Sequence, residues 1–206
     1  AFQLMVECGS LRVLDILSNA AAVIAEGEVL QLTTAHDLET DLARYNKVVR
    51  GKTAALFAAA TEVGRVIAQR PAAEVEALAT YGDGLGMAFQ LADDVLDYGG
   101  TAAGLGKNTG DDFREGKVTL PVIIAHARGD AEARAFWTRT VARGEQREGD
   151  LEQAIAYLRE TRALEDARKA AEDHVVRATE ALGVFPPSEM RAALADIARF
   201  VTGRVN

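Results

Sequence analysis

From Leu11 to Leu32 the apolar residues of LRVLDILSNAAAVIAEGEVLQL return every three or four positions, the spacing of one helix face. Ser10 stands just before this run, where its hydroxyl can accept from a free first-turn amide as an N-cap. Residues 41–69, DLARYNKVVRGKTAALFAAATEVGRVIAQ, read as a second long helix. Gly51 lies inside it, where glycine costs about 1 kcal/mol against alanine, so it marks a kink or a close approach. Pro71 opens a third helix that runs to about Tyr98. The glycine-rich residues 99–118 read as loop, and TLPVIIAHA starts a short helix at Thr119. Further helices are expected near 130–142, 150–160, 161–182 and 188–203, with FPPS at 185–188 separating the last two. No segment has strand period, and there is no repeat, low-complexity tract or linker. The expected fold class is all-α, a helical bundle in a single domain over 1–206.

Composition agrees. The chain has 206 residues, enough for a sizeable core. Its residues are 49% hydrophobic, much of that alanine, with only four prolines. A net charge of −8 and a pI of about 5.0 argue against general nucleic-acid binding, which needs a basic face. The one cysteine, Cys8, precludes a disulfide within the chain, fits a reducing cytoplasm and reads as core filler. No apolar stretch of roughly 18 residues is free of charge, so no membrane span is expected. The opening AFQLMVECGS does not begin with Met and has no basic n-region, so it does not read as a signal peptide. It starts in mid-pattern, so further sequence is expected before Ala1.

The chemistry concentrates in FQLADDVLDYGG, residues 89–100. Asp93, Asp94 and Asp97 sit at the C-terminal end of a helix, which already carries partial negative charge. Asp93 and Asp97 are four apart and share a face, with Asp94 one step round. A divalent cation removes both the mutual repulsion and the conflict with the dipole. Mg²⁺ takes hard oxygen ligands and is usually held by one or two carboxylates plus substrate phosphates. By itself D-D-x-x-D equally fits a solvated acidic helix end. GLGKNTGDDFREGKVTLP follows, placing Lys107 and Lys117 among glycines; glycines let backbone approach an anion and lysines supply mobile point charges. RGKTAALF puts Lys52 and Thr53 within an apolar helix, where a lysine either snorkels to water or faces a cavity holding an anion. Lysines flanking an aspartate triad from two elements suggest a diphosphate held between metal and ammonium groups.

Together KTAALFAAATEVG, FQLADDVLDY and GKNTGDDFREGKVTLP resemble the trans-polyprenyl diphosphate synthases. GEVLQL at 27–32 is similar to the octaprenyl and decaprenyl synthases of ubiquinone side-chain synthesis. The resemblance implies helices around a central cavity, the isoprenoid synthase type, usually as a homodimer. It implies transfer of an allylic prenyl group to isopentenyl diphosphate with release of diphosphate. Asp93, Asp94 and Asp97 would be the second aspartate-rich motif, Asp93 binding Mg²⁺ directly and the others directly or through water. Lys52, Thr53, Gln90 and Lys107 would hold the allylic diphosphate, with Lys117 a further candidate. Peripheral membrane contact would serve release of a long apolar product.

The family's first aspartate-rich motif, the arginine pair after it and an upstream G-K…R set are not in the chain. AFQLM matches family sequence just after them, so the chain reads as the C-terminal portion and is not expected to condense substrates alone. Chain length of the product therefore rests on overall likeness. The competing readings are a non-catalytic synthase subunit, a shorter-chain farnesyl or geranylgeranyl synthase, and a terpene cyclase, whose second metal motif normally has Asn, Ser and Glu instead. Phe57 and Phe89 could line the cavity or simply pack. His36, His126 and His174 lack ligand spacing and read as surface or satisfied positions, and Trp137 as core or interface. RALEDARKAAEDHVVRATEAL, residues 162–182, has the interleaved charge of a solvated helix face.

Overall fold

The computed structural model of the chain describes residues 2–99 and 109–204. Its order is α1 (Phe2–Glu7), α2 (Leu11–Thr34), α3 (Leu42–Val49), a π turn (Arg50–Ala54), α4 (Ala55–Ile67) and α5 (Ala72–Gly99). Then come α6 (Asp111–Arg114), α7 (Leu120–Arg128), α8 (Ala131–Trp137), a second π turn (Thr138–Ala142), α9 (Asp150–Glu160), α10 (Ala163–Ala181), a 3₁₀ turn (Leu182–Val184) and α11 (Glu189–Gly203). The described residues contain no strand, and the all-α expectation holds.

Side-chain caps fix several starts. Ser10 Oγ accepts from the Val13 amide at 3.3 Å, Asp41 from Arg44 at 2.7 Å, Asp130 from Ala133 at 2.9 Å and Ser188 from Arg191 at 3.2 Å. Ser10 is thus the cap that the sequence indicated.

Helix α5 is the axis of the fold. Tyr81, Leu85, Met87, Ala88, Leu91, Ala92, Val95 and Tyr98 are all buried along it, as expected of a helix packed on most sides. One side meets α4. The other meets α10, whose Ala163, Ala167, Ala171, Val175 and Ala178 are buried at helical spacing while its charged residues face outward. A third cluster, around Trp137, Phe113, Phe136 and Leu158, joins α6 through α9. Trp137 is wholly buried, so it belongs to the core. Phe57 and Phe89 lie 5.7 Å apart and pack against the cluster around Tyr81 and Leu85.

The expected helix 41–69 runs on through α3, a π turn and α4, its regular geometry interrupted where Gly51 falls. Gly27 of α2 and Gly51 cross backbone to backbone: a Cβ on Gly27 would lie 2.6 Å from the Lys52 nitrogen and 2.7 Å from the Gly51 carbonyl carbon. On the opposite side, a Cβ on Gly86 would lie 2.6 Å from the Ala54 Cα. The segment is squeezed between α2 and α5 and widens into a π turn, a feature that often accompanies functional sites.

Three expectations are corrected. Residues 99–118 are not all loop, because α6 forms over Asp111–Arg114, stapled by Asp97. Cys8 does not fill the core; it is exposed in the turn after α1, where Leu4 and Val6 are exposed too. His174 is half-buried, and its Nδ1 lacks a hydrogen-bond partner among the described residues.

Gly27→Ala forces two backbones apart. Overpacking of this kind typically costs about 1–3 kcal/mol, so its urea midpoint should fall, and by more than that of Gly64→Ala, where a Cβ meets nothing.

Candidate active site

A cavity of about 230 Å³ opens between the end of α2, the α3–π turn junction, α5 and residues 112–119. Gln31, Tyr45, Lys52, Gln90, Asp93, Asp94, Asp112 and Lys117 lie in its wall.

Asp94 anchors the floor. It is only 3% exposed. Tyr45 of α3 donates its hydroxyl to Oδ2 at 2.5 Å, and Gln90, one helical turn back, donates Nε2 to Oδ1 at 2.9 Å. With its amide nitrogen so used, Gln90 presents Oε1 to the Thr53 hydroxyl at 2.9 Å. Thr53–Gln90–Asp94–Tyr45 is therefore one chain across the π turn, α5 and α3. Burial raises the Asp94 pKa and the Asp112 charge adds to it, while the Tyr45 and Gln90 hydrogen bonds oppose them; with Asp93 also raising it, the group is pushed up to about 7. Burial, then the Asp94 charge, holds the Tyr45 phenol well above its ordinary value.

Asp97 does something different. Its carboxylate accepts from the amides of Asp111 at 3.2 Å and Asp112 at 3.0 Å, and its carbonyl from Gly110 at 2.8 Å. Asp97 thereby fastens the turn that carries Asp112 and Lys117, and it is outside the cavity wall. Burial first, and the Asp112 charge second, raise its pKa to about 6 against the two amide bonds.

Two lysines, Lys52 and Lys117, lie in the wall. Lys52 Nζ donates to Gln31 Oε1 at 2.7 Å and lies 3.6 Å from Glu28. Lys117 Nζ is 3.0 Å from Asp112 and 2.7 Å from Glu115. Burial acts to lower the Lys117 pKa, but Glu115 and Asp112 outweigh it and hold the ammonium above its ordinary value. Glu115 is lowered by Lys117 and also by the Lys52 charge, so both lysines act on one small region.

Of the sequence candidates, the fold brings Lys52, Gln90, Asp93, Asp94 and Lys117 to one cavity. Thr53 reaches it through Gln90, and Lys107 lies outside the described residues. Sequence reasoning missed Tyr45, Gln31 and Asp112 as wall residues. Gln31 and Asp112 sat inside quoted motifs, whereas Tyr45 gave no signal beyond its place on an apolar helix face.

Among the described residues no three His, Cys, Asp or Glu side chains form a cage for a metal on their own. The donor set still fits Mg²⁺, which needs only one or two carboxylates when phosphates and waters complete it. Asp93, Asp94 and Asp112 are hard-oxygen donors in the wall; Asp94 is held by Tyr45 and Gln90 and Asp112 by Lys117.

Residues 1–158 match the family model described as polyprenyl synthetase. The chain belongs to the polyprenyl synthetase family. It is 40% identical over 198 residues to the octaprenyl diphosphate synthase of Haemophilus influenzae, covering 96% of this chain and 60% of that protein. The crystal structure of a decaprenyl diphosphate synthase from Rhodobacter capsulatus superposes with a TM-score of 0.94 at 54% identity, over 100% of this chain and 63% of that one. A polyprenyl synthase from Caulobacter crescentus CB15, complexed with calcium and isoprenyl diphosphate, gives a TM-score of 0.95 at 48% identity over 100% and 62%. The chain thus spans about three fifths of the length of these family members. Its helices show the all-α fold of the isoprenoid synthases.

The raised carboxylates predict an inverted pH dependence. Between the ordinary Asp value and about 7, the folded state holds a proton on Asp94 that the unfolded state has lost, so stability falls as pH rises through this window. Metal-free protein should melt higher near pH 5.5 than near pH 8, by about 2–4 °C per kcal/mol for a chain of this size. Asp94→Asn should flatten most of that slope and leave the smaller part due to Asp97, checked by thermal melts across pH in chelator.

Proposed function

We propose that this chain acts as part or all of a long-chain trans-polyprenyl diphosphate synthase. The reaction elongates an allylic diphosphate with isopentenyl diphosphate to an all-trans octaprenyl to decaprenyl diphosphate for a quinone side chain such as that of ubiquinone. The observation that carries the reading is that Lys52 and Lys117 share the wall of one cavity with Asp93, Asp94 and Asp112. Family membership supports it, as does a relative solved with calcium and isoprenyl diphosphate.

The chemistry follows from the charges. The allylic C–O bond breaks and its electron pair leaves on the diphosphate; the double bond of isopentenyl diphosphate attacks the allylic carbon and a proton is then lost. Donors aimed at the charge that develops lower the barrier. Lys52 exchanges Gln31, and Lys117 exchanges Asp112 and Glu115, for phosphate oxygens, making shorter charge-assisted bonds. Lys107 is assigned to the same anion. Asp94, held by Tyr45 and Gln90, fixes the Gln90 amide and through it Thr53. Asp97 keeps Asp112 and Lys117 in register. Asp93, with Asp94 and Asp97 directly or through water, would hold Mg²⁺, which would supply further neutralisation of the leaving diphosphate. No helix among the described residues is long and apolar enough to cross a membrane. The working form is taken as a cytoplasmic homodimer, the 206 residues lying in one domain, with peripheral membrane contact for product release.

The test is radiolabelled isopentenyl diphosphate with farnesyl diphosphate and Mg²⁺, followed by product chromatography on the full protein. Octaprenyl to decaprenyl products are expected; short products, or binding without turnover, overturn the reading in favour of a shorter-chain synthase or a non-catalytic subunit. Asp93→Ala should lower kcat by about 100-fold or more with the circular dichroism spectrum unchanged, and Lys52→Ala should reduce both kcat and affinity, because a group that meets the anion more strongly as charge develops affects both. Normal kinetics in both variants would remove the anion clamp.

A further inference from the structure

His36 has backbone φ of 62°, the left-handed region that a residue with a Cβ seldom occupies. Such an outlier persists where surrounding contacts over-determine it, and three do so here. The His36 amide donates to the Gly116 carbonyl at 2.9 Å. Its ring Nδ1 lies 2.6 Å from the Val141 carbonyl; a carbonyl only accepts, so Nδ1 carries the proton and donates. The ring also covers the face of Gly116, where a Cβ would collide with Cε1 and Nδ1. Gly116 has φ of 66°, so both its backbone and the ring over it favour glycine there.

The residue after Gly116 is Lys117, and those before His36 are Thr34 and Ala35, all three in the cavity wall. One side chain therefore joins the end of α2, the Gly116–Lys117 turn and the π turn after α8. We propose that His36 is a positioning residue that clamps this turn and aims the Lys117 ammonium into the cavity. The inference rests on the reading of Lys117 as a diphosphate ligand. The ring acts as a strap on the outside of the site, and its orientation is set by Val141, far from the cavity in sequence.

The test is a double-mutant cycle in the full protein, read as the dissociation constant of inorganic diphosphate with Mg²⁺ by calorimetry and as kcat and KM for the allylic diphosphate. His36→Asn keeps a residue that tolerates left-handed backbone and removes the ring and its Val141 bond. His36→Gly does the same without any side chain and serves if the Asn variant folds poorly. Lys117→Gln should weaken diphosphate binding by roughly tenfold or more, the scale of a lost charged hydrogen bond. His36→Asn should weaken it by about three- to fivefold alone and have no further effect in the Lys117→Gln background, because residues acting through one contact are not additive. An equal loss in both backgrounds, or none in either, overturns the clamp. No loss from Lys117→Gln alone overturns the diphosphate reading of Lys117 instead, which separates the two failures.

Discussion

The buried carboxylate of Asp94 is the contact on which the site depends. An unpaired charge at that depth would be prohibitive, so its neighbours are fixed by the need to satisfy it. Tyr45 and Gln90 fill one oxygen each. Filling them dictates which way the Gln90 amide faces, and hence that Thr53 meets an oxygen. Three separate elements are thereby held at one point. The hydrogen bonds do not fully offset desolvation, and Asp94 is pushed up to about 7, so its protonated and ionised forms are both populated near neutral pH. The site is strained towards positive charge, and a cation or the lysines can relieve it.

The same logic governs the lysines. Among the described residues, each ammonium in the wall has a partner that a diphosphate could replace: Gln31 for Lys52, Asp112 and Glu115 for Lys117. Such partners keep the lysines oriented and solvated without a ligand, so less order is lost when an anion arrives. Asp97 shows why three aspartates in one motif need not share one task. Four residues along from Asp93, it has turned to cap α6, and through that turn it sets where Asp112 and Lys117 stand.

The backbone crossing at Gly27 and Gly51 supplies the remaining constraint. Only glycine permits α2 to approach so closely, and from the π turn there Lys52 meets Gln31 of α2 while Thr53 meets Gln90 of α5. The sequence announced the irregularity, since a glycine in mid-helix is costly without a reason, but not its partner, which lies 24 positions upstream.

Local information in the sequence determined the helices, most of their starts, the all-α class and the acid and lysine motifs. Apolar period, capping residues and the scarcity of proline act within a few residues, so they are readable without contacts. The motifs also named Asp93, Asp94, Lys52, Gln90 and Lys117 before any geometry was known. Only the tertiary structure decided that Asp94 and Asp97 turn away to different partners, that Tyr45 and Gln31 enter the wall, that α6 forms inside a glycine-rich stretch, that Cys8 is exposed, and that His36 straps the Lys117 turn. Apart from the exposure of Cys8, these depend on groups more than ten residues apart meeting at hydrogen-bond distance, and the energy of such a meeting is a property of the folded chain that no local pattern encodes.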